Sequence, residues 1–296
     1  MPAAPLFVTR KFPPKVGGME TFSAGVWRTV EGMSPDARLI ANGGIQWRLV
    51  WWLPVALARI AVLVSRREVG VVLIGDALTY AAVSPLLHLT RTPHATLVMG
   101  LDITWANRAY RAVAHRSLRR APSVIAISKA TAETAAQVAG VDPDCIHVVR
   151  LGVPVPEATN DRRVARKALH RWLRVPDDHA VVVTVGRLVR RKGARWFVDE
   201  VLPELPPGTV FVVAGEGPER TGVVDAAARR GVADRVRVLG RVSDGERELL
   251  FRGADIFVQP NVRVPNDMEG FGLVTIEAAV RDALRSPAAS RASATP

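Results

Sequence analysis

Val181-Val-Val-Thr-Val185-Gly186-Arg187 is the stretch that decides the fold, because an apolar run of strand length ends here directly at a glycine. Three later runs repeat the pattern: Val210 to Ala214 before Gly215-Glu-Gly217-Pro218, Val236 to Leu239 before Gly240-Arg241, and Asp255 to Gln259 before Pro260-Asn261. Helices are predicted in the gaps, at residues 195–204, 219–231 and 244–253. Short apolar strands that alternate with helices are typical of a parallel sheet with helices on both faces. The second half of the chain therefore predicts a doubly wound α/β domain.

The first half of the chain shows the same alternation. Strands are predicted at residues 5–9, at Val69 to Gly75, at Ala95 to Met99 and at Ser123 to Ile127. Ligands of such sheets bind beyond the carboxyl ends of the strands. We therefore expect four residues at that edge: Gly17, Asp76, Asp102 and Ser128. The Gly17-Gly18 loop, between the first strand and a predicted helix at residues 20–30, is a turn that tolerates a phosphate.

The length of 296 residues predicts two domains. Residues 1–155 are assigned to a first domain and residues 156–285 to a second. A Pro-containing segment at residues 153–160 is interpreted as the linker between them. Residues 286–296 are dominated by Ser, Ala and Pro, and we expect them to be a disordered tail.

The net charge of +12 and the pI of about 11.1 indicate an anionic partner. Nucleic acid, an anionic membrane surface and a phosphate-bearing ligand all fit. Aromatic residues make up only 6% of the chain and form no stacking platform, which disfavours nucleic acid. A single cysteine, Cys145, excludes a disulfide framework and fits a reducing compartment. Because the N-terminus does not resemble a signal peptide, we expect a cytoplasmic protein.

Residues 45–64 form a long apolar stretch that contains Trp47, Trp51 and Trp52. Three interpretations stay open: a helix that covers a sheet with its tryptophans in the core, a helix at a membrane interface, and a membrane span. Arg48, Pro54 and Arg59 interrupt the stretch and disfavour the span. Tryptophans beside arginines fit the interfacial helix.

Residues 160–175 form a basic segment that predicts a helix. Seven basic residues crowd together in it: Arg162, Arg163, Arg166, Lys167, His170, Arg171 and Arg174. A charge run of this kind is usually a solvated face. Contact with an anionic membrane is the alternative.

The loop that follows Val185, from Gly186 to Gly193, carries the cations best placed for a phosphate. Arg187 can form forked hydrogen bonds with phosphate oxygens, and Lys192 adds a point charge. The loop lacks the glycine spacing of a Walker motif. Gly215-Glu-Gly217 begins like a dinucleotide fingerprint, but Arg220 stands where the third glycine belongs, so a simple turn is favoured.

Two further patterns bear on chemistry. Asp142-Pro-Asp144 has the D-x-D form of metal–nucleotide sites, although a turn is the favoured interpretation. No serine lies in a G-x-S-x-G elbow, so the sequence gives no support to acyl hydrolysis.

Residues 267–279 read Asp-Met-Glu-Gly-Phe-Gly-Leu-Val-Thr-Ile-Glu-Ala-Ala. Gly270 and Gly272 predict a turn that opens into a helix, whose N-terminal amides attract an anion. Glu269 lies in the loop and Glu277 about a turn into the helix, so both carboxylates can face the ligand. A ligand with phosphates at one end and sugar hydroxyls at the other would suit this arrangement. The alternative to a ligand site is an acidic turn followed by a buried helix cap.

These motifs together resemble the retaining glycosyltransferases of group 1, which have the GT-B fold and an E-x7-E motif. The resemblance covers nearly the whole chain up to about Ala279. It is carried by Gly17-Gly18-Met-Glu20, Gly186-Arg187 with Lys192-Gly193, Gly215-Glu-Gly217, Phe257-Val-Gln-Pro-Asn261, and Glu269-Gly-Phe-Gly with Glu277. It implies two Rossmann-like domains that face a cleft, with the acceptor on the first and the nucleotide-sugar donor on the second.

The resemblance also implies roles for single residues. Arg187 and Lys192 would hold the diphosphate, Glu269 would contact the sugar, and Glu277 would contact the ribose. The amides of Gly270, Phe271, Gly272 and Leu273 would support the phosphate and the sugar, while Gly17 and Gly18 would close over the diphosphate. Gly215, Gly217 and Asn261 complete the expected donor site, and Glu269 and Asp102 are the catalytic candidates. The reaction would retain the anomeric configuration and need neither a metal nor a cofactor.

The sequence departs from the family pattern in two places. Where the family usually has a histidine near the reacting sugar, this chain has Met99, which cannot usefully donate or accept a proton. Family members also continue well beyond the position of Glu277, so we expect the second domain to be incomplete. The predicted function is the transfer of a hexose from a UDP- or GDP-linked donor to an acceptor, either lipid-linked or a cell-envelope glycan. A catalytically impaired nucleotide-sugar-binding protein is the alternative, and an anionic membrane at the inner face is a candidate partner.

Overall fold

The computed structural model describes residues 4–15, 17–43, 49–150, 152–153, 161–265 and 272–281. The chain divides into two compact units. The first contains the described residues up to 150, and the second contains those from 152 onward. The acceptor and donor roles assigned to the two domains stay predictions.

The first unit contains a parallel sheet in which the described strands follow the order β2-β1-β3-β4-β5-β6. The strands are β1 (Ala4–Thr9), β2 (Arg38–Ala41), β3 (Val69–Ile74), β4 (His94–Val98), β5 (Val124–Ala126) and β6 (Ile146–Val148). The helices are α1 (Gly18–Met33), α2 (Leu49–Ser65), α3 (Ala77–Leu89), α4 (Leu101–Thr104), α5 (Arg108–Leu118) and α6 (Lys129–Gln137). Alternate side chains of the central strands pack with these helices into the core of the unit.

The second unit contains a parallel sheet in the order β10-β7-β8-β9. Its strands are β7 (Ala180–Val185), β8 (Thr209–Ala214), β9 (Val236–Gly240) and β10 (Ile256–Phe257). Its helices are α7 (Arg162–Leu173), α8 (Ala194–Trp196), α9 (Arg220–Arg229), α10 (Asp244–Gly253) and α11 (Leu273–Ala279). Helix α8 continues through a π turn (Phe197–Val201) and a 3-10 turn (Leu202–Glu204), so the helix predicted at residues 195–204 is not one regular helix.

The prediction of doubly wound α/β units is confirmed. The structure adds two strands that the sequence analysis did not predict, β2 and β6, and both lie at the edges of their sheet. Edge strands are often short and carry charged or polar side chains, which prevent pairing with another chain. Strand β2 begins with a half-exposed arginine, and β6 carries an exposed histidine at its centre, so neither shows a continuous apolar run.

In each sheet, the direction in which successive strands are added reverses once. The candidate site lies at this reversal. In the first unit the chain moves outward from β1 to β2 and then returns to place β3 on the other side of β1. In the second unit β7, β8 and β9 follow one another, and β10 lies on the opposite side of β7. Ligands of open α/β sheets bind outside the carboxyl ends of the strands at such a switch point. The switch points lie between β1 and β3 and between β7 and β10.

The basic helix α7 differs from its predicted solvated face at two arginines and at His170, which is buried with its Nδ1 2.8 Å from the Pro176 carbonyl. Arg166 donates to the Asp255 carboxylate (3.1 Å) and to the carbonyls of Asp177 and His179 (2.9 Å each). Arg162 donates to the Ala254 carbonyl (3.0 Å). These two side chains tie the helix to the start of β10, and Asp255 also accepts a hydrogen bond from the Val181 amide (2.8 Å). The other basic residues of the helix that remain exposed are Arg163, Lys167 and Arg171.

Helix α2 contains most of the apolar stretch at residues 45–64, for which three interpretations were open. Trp52 packs against the core of the first unit, whereas Trp51 is exposed. Trp47 lies outside the described residues. Across the part of the chain that the structure describes, no helix combines the length and the apolar character needed to cross a membrane.

Candidate functional site

The switch point of the second unit brings the loop after β7 together with the segment after β10. The Val258 amide donates to the Val183 carbonyl and the Val262 amide to the Arg191 carbonyl, both at 2.9 Å. A Cβ on Gly193, which has φ +66°, would overlap the Pro260 carbonyl oxygen, so glycine allows the two segments to touch. Lys192 and Asn261 therefore lie on neighbouring segments, as the predicted donor site requires.

Arg187 is separated from β7 by Gly186 alone and is exposed at this edge of the sheet. Its guanidinium forms no ion pair with the residues that the structure describes, so folding leaves its hydrogen-bonding fork available. A planar guanidinium can bind two oxygens of one phosphate at the same time. The position and the chemistry of Arg187 both fit a diphosphate.

The Gly215-Glu-Gly217 segment after β8 packs closely on the same loop. A Cβ on Gly215, which has φ +144°, would overlap the Gly186 carbonyl oxygen. The Leu188 amide donates to the Glu216 carbonyl (2.8 Å), and the Glu219 amide donates to the Leu188 carbonyl (3.0 Å). Since these backbone groups are already paired within the unit, the segment is a turn that builds the wall of the site.

Helix α11 begins beside the end of β10. Gly272 has φ +72°, and the Thr275 hydroxyl donates to the Gln259 side-chain oxygen. This contact holds Gly272 and Leu273 close to the segment that carries Asn261. Glu277 lies in the second turn of α11, and its carboxylate is 3.9 Å from Arg247 of α10. Of the predicted donor residues, Glu269, Gly270 and Phe271 lie outside the described residues.

Gln259 was not among the predicted site residues. It is the last residue of the strand predicted at Asp255 to Gln259, directly before Pro260-Asn261, and this position was the available signal. Its role depends on contact with Thr275, sixteen positions later, and sequence spacing does not reveal such a contact.

At the switch point of the first unit, Arg10 and Asp76 form an ion pair (2.8 Å) between the ends of β1 and β3. Asp76 is fully buried and also accepts hydrogen bonds from the Leu78 and Thr79 amides, which caps α3. Asp76 was predicted at this edge of the sheet from the sequence, whereas Arg10 was not predicted as a residue of this edge. Ser128 has a similar capping role, because its hydroxyl accepts from the Thr131 amide at the start of α6.

Asp102, a catalytic candidate, is 5% exposed. One carboxylate oxygen accepts the Met99 amide (2.9 Å), and the other has no partner among the described residues. Burial raises the pKa of Asp102 to about 6; nearby Asp76 acts in the same direction, and the Met99 amide opposes the shift. The Asp102 side chain thus holds the turn after β4 and is buried, and its catalytic role stays a prediction.

Met99, where the family usually has a histidine, is 7% exposed. Its side chain belongs to an apolar cluster with Phe7, Phe22, Leu97 and Ile127. The position therefore contributes to the core of the first unit and offers no titratable group to a ligand.

The two glycines before α1 differ in their surroundings. A Cβ on Gly17 would overlap a carboxylate oxygen of Glu20, whereas a Cβ on Gly18 would meet nothing within 4 Å. Glu20 is buried and lies 3.7 Å from the Lys11 ammonium. Folding of the described residues therefore does not explain a glycine at position 18, and the predicted role in closing over a phosphate stays open for it.

The buried Asp102 carboxyl predicts a specific dependence of stability on pH. Its folded pKa of about 6 lies above the ordinary value of 3.8, so the folded state holds this proton more tightly than the unfolded state. Stability from this group is present at low pH and is lost as the pH rises from about 4 to about 6. The loss amounts to at most about 3 kcal/mol.

We expect Asp102→Asn, which cannot ionise, to lack this loss. Denaturation at pH 4 and at pH 7 should show the variant gaining on the wild type as the pH rises. A difference between the two proteins that stays the same at both pH values would contradict the assignment.

Residues 179–282 match the family model described as glycosyl transferases group 1. The chain is 26% identical over 213 residues to an uncharacterized glycosyltransferase of Methanocaldococcus jannaschii, covering 69% of this chain and 53% of that protein. It is 31% identical over 165 residues to a 2-deoxystreptamine N-acetyl-D-glucosaminyltransferase of Streptomyces fradiae, covering 52% and 37%. The chain thus spans about half or less of the length of these curated relatives.

The structure is similar to that of the Anabaena protein HepE in complex with UDP, with a TM-score of 0.72 and 19% sequence identity. The alignment covers 94% of this chain and 78% of HepE. The predicted GT-B fold is confirmed by this likeness and by the two parallel-sheet units. The family match covers residues 179–282, whose described residues lie in the second unit, and the structural likeness shows the fold.

Proposed function

We propose that this protein transfers a hexose from a nucleotide-sugar donor, linked to UDP or GDP, to an acceptor with retention of configuration. One observation carries the proposal: at the switch point of the second unit, Arg187 is exposed, forms no ion pair with the described residues, and lies beside the segments that hold Lys192 and Asn261. The matched family region, residues 179–282, includes all three of these residues.

The chemistry follows from where charge develops. When the glycosidic bond to the diphosphate breaks, negative charge accumulates on the leaving phosphate oxygens. Arg187 would bind two of these oxygens, and Lys192 would add a second positive charge. Fixed cations that face developing charge stabilise a transition state strongly, because they need not reorganise during the reaction. Since these two cations can supply the stabilisation, we propose a reaction that needs no metal and no cofactor.

The carboxylates would bind the other end of the donor. Glu277 lies in α11, two turns or less from Gly272, and is proposed to accept hydrogen bonds from ribose hydroxyls. Glu269 is proposed to contact the transferred sugar, and the amides from Gly270 to Leu273 to support it. The HepE structures with UDP and with UDP-glucose favour UDP as the first donor base to test.

The acceptor is proposed to be lipid-linked or part of a cell-envelope glycan, and the protein to act at the inner face of the membrane. The net charge of +12 supports this part of the proposal. Anionic lipids attract clusters of Lys and Arg.

A donor screen tests the transfer. The purified chain is incubated with UDP- and GDP-linked hexoses, with and without a lipid extract, and nucleoside diphosphate and glycosylated product are detected by mass spectrometry. We expect one donor to be consumed, and the anomeric configuration of the product, measured by NMR, to match that of the donor. Consumption of none of these donors would overturn the proposed reaction, and an inverted product would overturn the retaining mechanism.

A second candidate function is favoured by Met99. Met99 lies in an apolar cluster and carries no titratable group, whereas the family usually has a histidine at this position. The alternative is a protein that binds a nucleotide sugar without turnover. Calorimetric binding of a donor that the screen shows to be unconsumed would support this alternative, and turnover would exclude it.

A further inference from the structure

Helix α2 is apolar on every side, yet one of its faces is exposed. Ala56 and Ile60 are buried in the core of the first unit. On the opposite face, Trp51 is 74% exposed, Val55 57% and Val62 47%. A helix that is hydrophobic all round is normally buried on all sides. The outer stripe of α2 therefore has the composition of a covered surface.

The charge on helix α2 itself is positive, and Glu68, beyond the end of the helix, pairs with Arg38 (2.7 Å). Helix α2 contains no acidic residue. Arg59 is exposed on the outer side and forms no ion pair with any residue in the described ranges. Arg66 and Arg67 follow the end of the helix, both exposed, although Arg66 lies 3.9 Å from Glu68. An arginine that has no ion-pair partner among the described residues and lies within an apolar stripe is complementary to a ligand that joins an anionic group to an apolar chain.

A groove beside the stripe extends this surface. It runs between α2 and the edge strand β2, as two adjoining depressions of about 310 and about 610 Å³. Both depressions are lined by Leu39 and Ile40 of β2 and by Arg59 of α2. The arrangement combines an apolar floor with a cation at the rim, which suits an amphiphile with an anionic head.

The dimensions of the stripe favour a bilayer over a protein partner. From Trp51 to Val62 the helix rises about 16 Å, and the stripe is one helix wide. A stable protein interface buries about 800 Å² on each partner, more than a stripe of this size offers. Lipids rearrange around a narrow apolar stripe, and tryptophan is favoured at the level of the headgroups.

We propose that the outer face of α2 docks on the surface of an anionic bilayer. Trp51, Val55 and Val62 enter the boundary between headgroups and acyl chains, and Arg59 binds lipid phosphates. This inference rests on the membrane part of the proposed function and is independent of sugar transfer. It assigns the contact to one face of the first unit.

Matched substitutions test the face. Val55→Asp places a charge in the stripe, whereas Val224→Asp makes the same change at a valine of α9 that is 50% exposed. Co-sedimentation of the full chain is measured with vesicles of phosphatidylcholine plus phosphatidylglycerol and with vesicles of phosphatidylcholine alone. We expect Val55→Asp to weaken binding to the anionic vesicles about tenfold or more, because burying a carboxylate opposes insertion. Val224→Asp should bind like the wild type.

Arg59→Gln tests the charge. We expect it to reduce the preference for anionic over neutral vesicles and to make binding less sensitive to salt. Equal binding by the wild type, Val55→Asp and Arg59→Gln would overturn the proposal, and so would an absence of wild-type binding to either vesicle. Light scattering that shows a dimer dissociated by Val55→Asp would assign the face to a second copy of the chain and would also overturn it.

Nucleotide binding separates this proposal from the proposed function. Val55→Asp should bind UDP as the wild type does, with unchanged secondary structure by circular dichroism. Vesicle binding by a chain that consumes no nucleotide sugar would leave the docking face standing and count against transfer alone.

Discussion

Arg187→Ala is expected to lower the rate of sugar transfer at least a hundredfold and to weaken donor binding at least tenfold. The reason is that Arg187 is exposed, forms no ion pair with the described residues, and stands at the switch point where the diphosphate is proposed to bind. Loss of one preorganised donor to a developing negative charge typically costs a factor of about 10² to 10³. The measurement is the steady-state rate with the donor that the screen identifies, together with a calorimetric titration.

Two variants serve as controls for Arg187. Arg190→Ala removes the same charge from an exposed position of the same loop and should change the rate by less than about threefold, because screened surface charge contributes little. Arg187→Lys keeps the charge and loses the planar fork, so its rate should lie between those of the wild type and Arg187→Ala. Equal losses in Arg187→Ala and Arg190→Ala would show that the charge of the loop matters and the position does not.

Gly215→Ala is expected to destabilise the second unit by about 3 kcal/mol or more. Gly215 has φ +144°, which L side chains rarely adopt, and an added Cβ would overlap the Gly186 carbonyl oxygen. The Gly186 backbone cannot move freely, because its amide donates to the Ala214 carbonyl (2.9 Å). A strained backbone angle and a clash with main-chain atoms both oppose folding. Urea denaturation followed by circular dichroism measures the loss.

Gly231→Ala is the matched control, since Gly231 has φ +67° and a Cβ there would meet nothing within 4 Å. It should cost about 1–2 kcal/mol, from the left-handed backbone alone. Because the chain has two units, the comparison uses the transition of the second unit and does not assume that the whole chain unfolds in one step. A Gly215→Ala variant as stable as Gly231→Ala would contradict the close contact between the two loops.

The central strands of both sheets could be predicted from sequence because most of their residues are buried, so each forms a continuous apolar run. Strand β7 was predicted to within one residue at its start. The edge strands β2 and β6 lack this signal, because one side of an edge faces solvent and tolerates Arg38 or His147. The burial of Trp52 and the exposure of Trp51 also could not be predicted, since the helix is apolar on every side.

The candidate site was predictable where residues lie within a position or two of a strand end, as Arg187 does after β7. Residues that depend on the order of strands were missed. Arg10 meets Asp76 only because β3 lies beside β1, and Gln259 meets Thr275 only because α11 returns to the end of β10. Asp102 was correctly placed after β4, but its burial depends on packing against α3 and α5, which sequence spacing does not reveal.

The central claim is that the second unit binds a nucleoside diphosphate through Arg187, and one calorimetric series tests it most directly. The full chain is titrated with UDP, GDP, UMP and inorganic phosphate. The titration with the ligand that binds most tightly is repeated with Arg187→Ala. The account predicts saturable binding of one diphosphate with a Kd below about 1 mM, at least tenfold tighter than UMP, and weakened at least tenfold by the substitution. Binding of neither diphosphate, or binding that Arg187→Ala leaves unchanged, would contradict it.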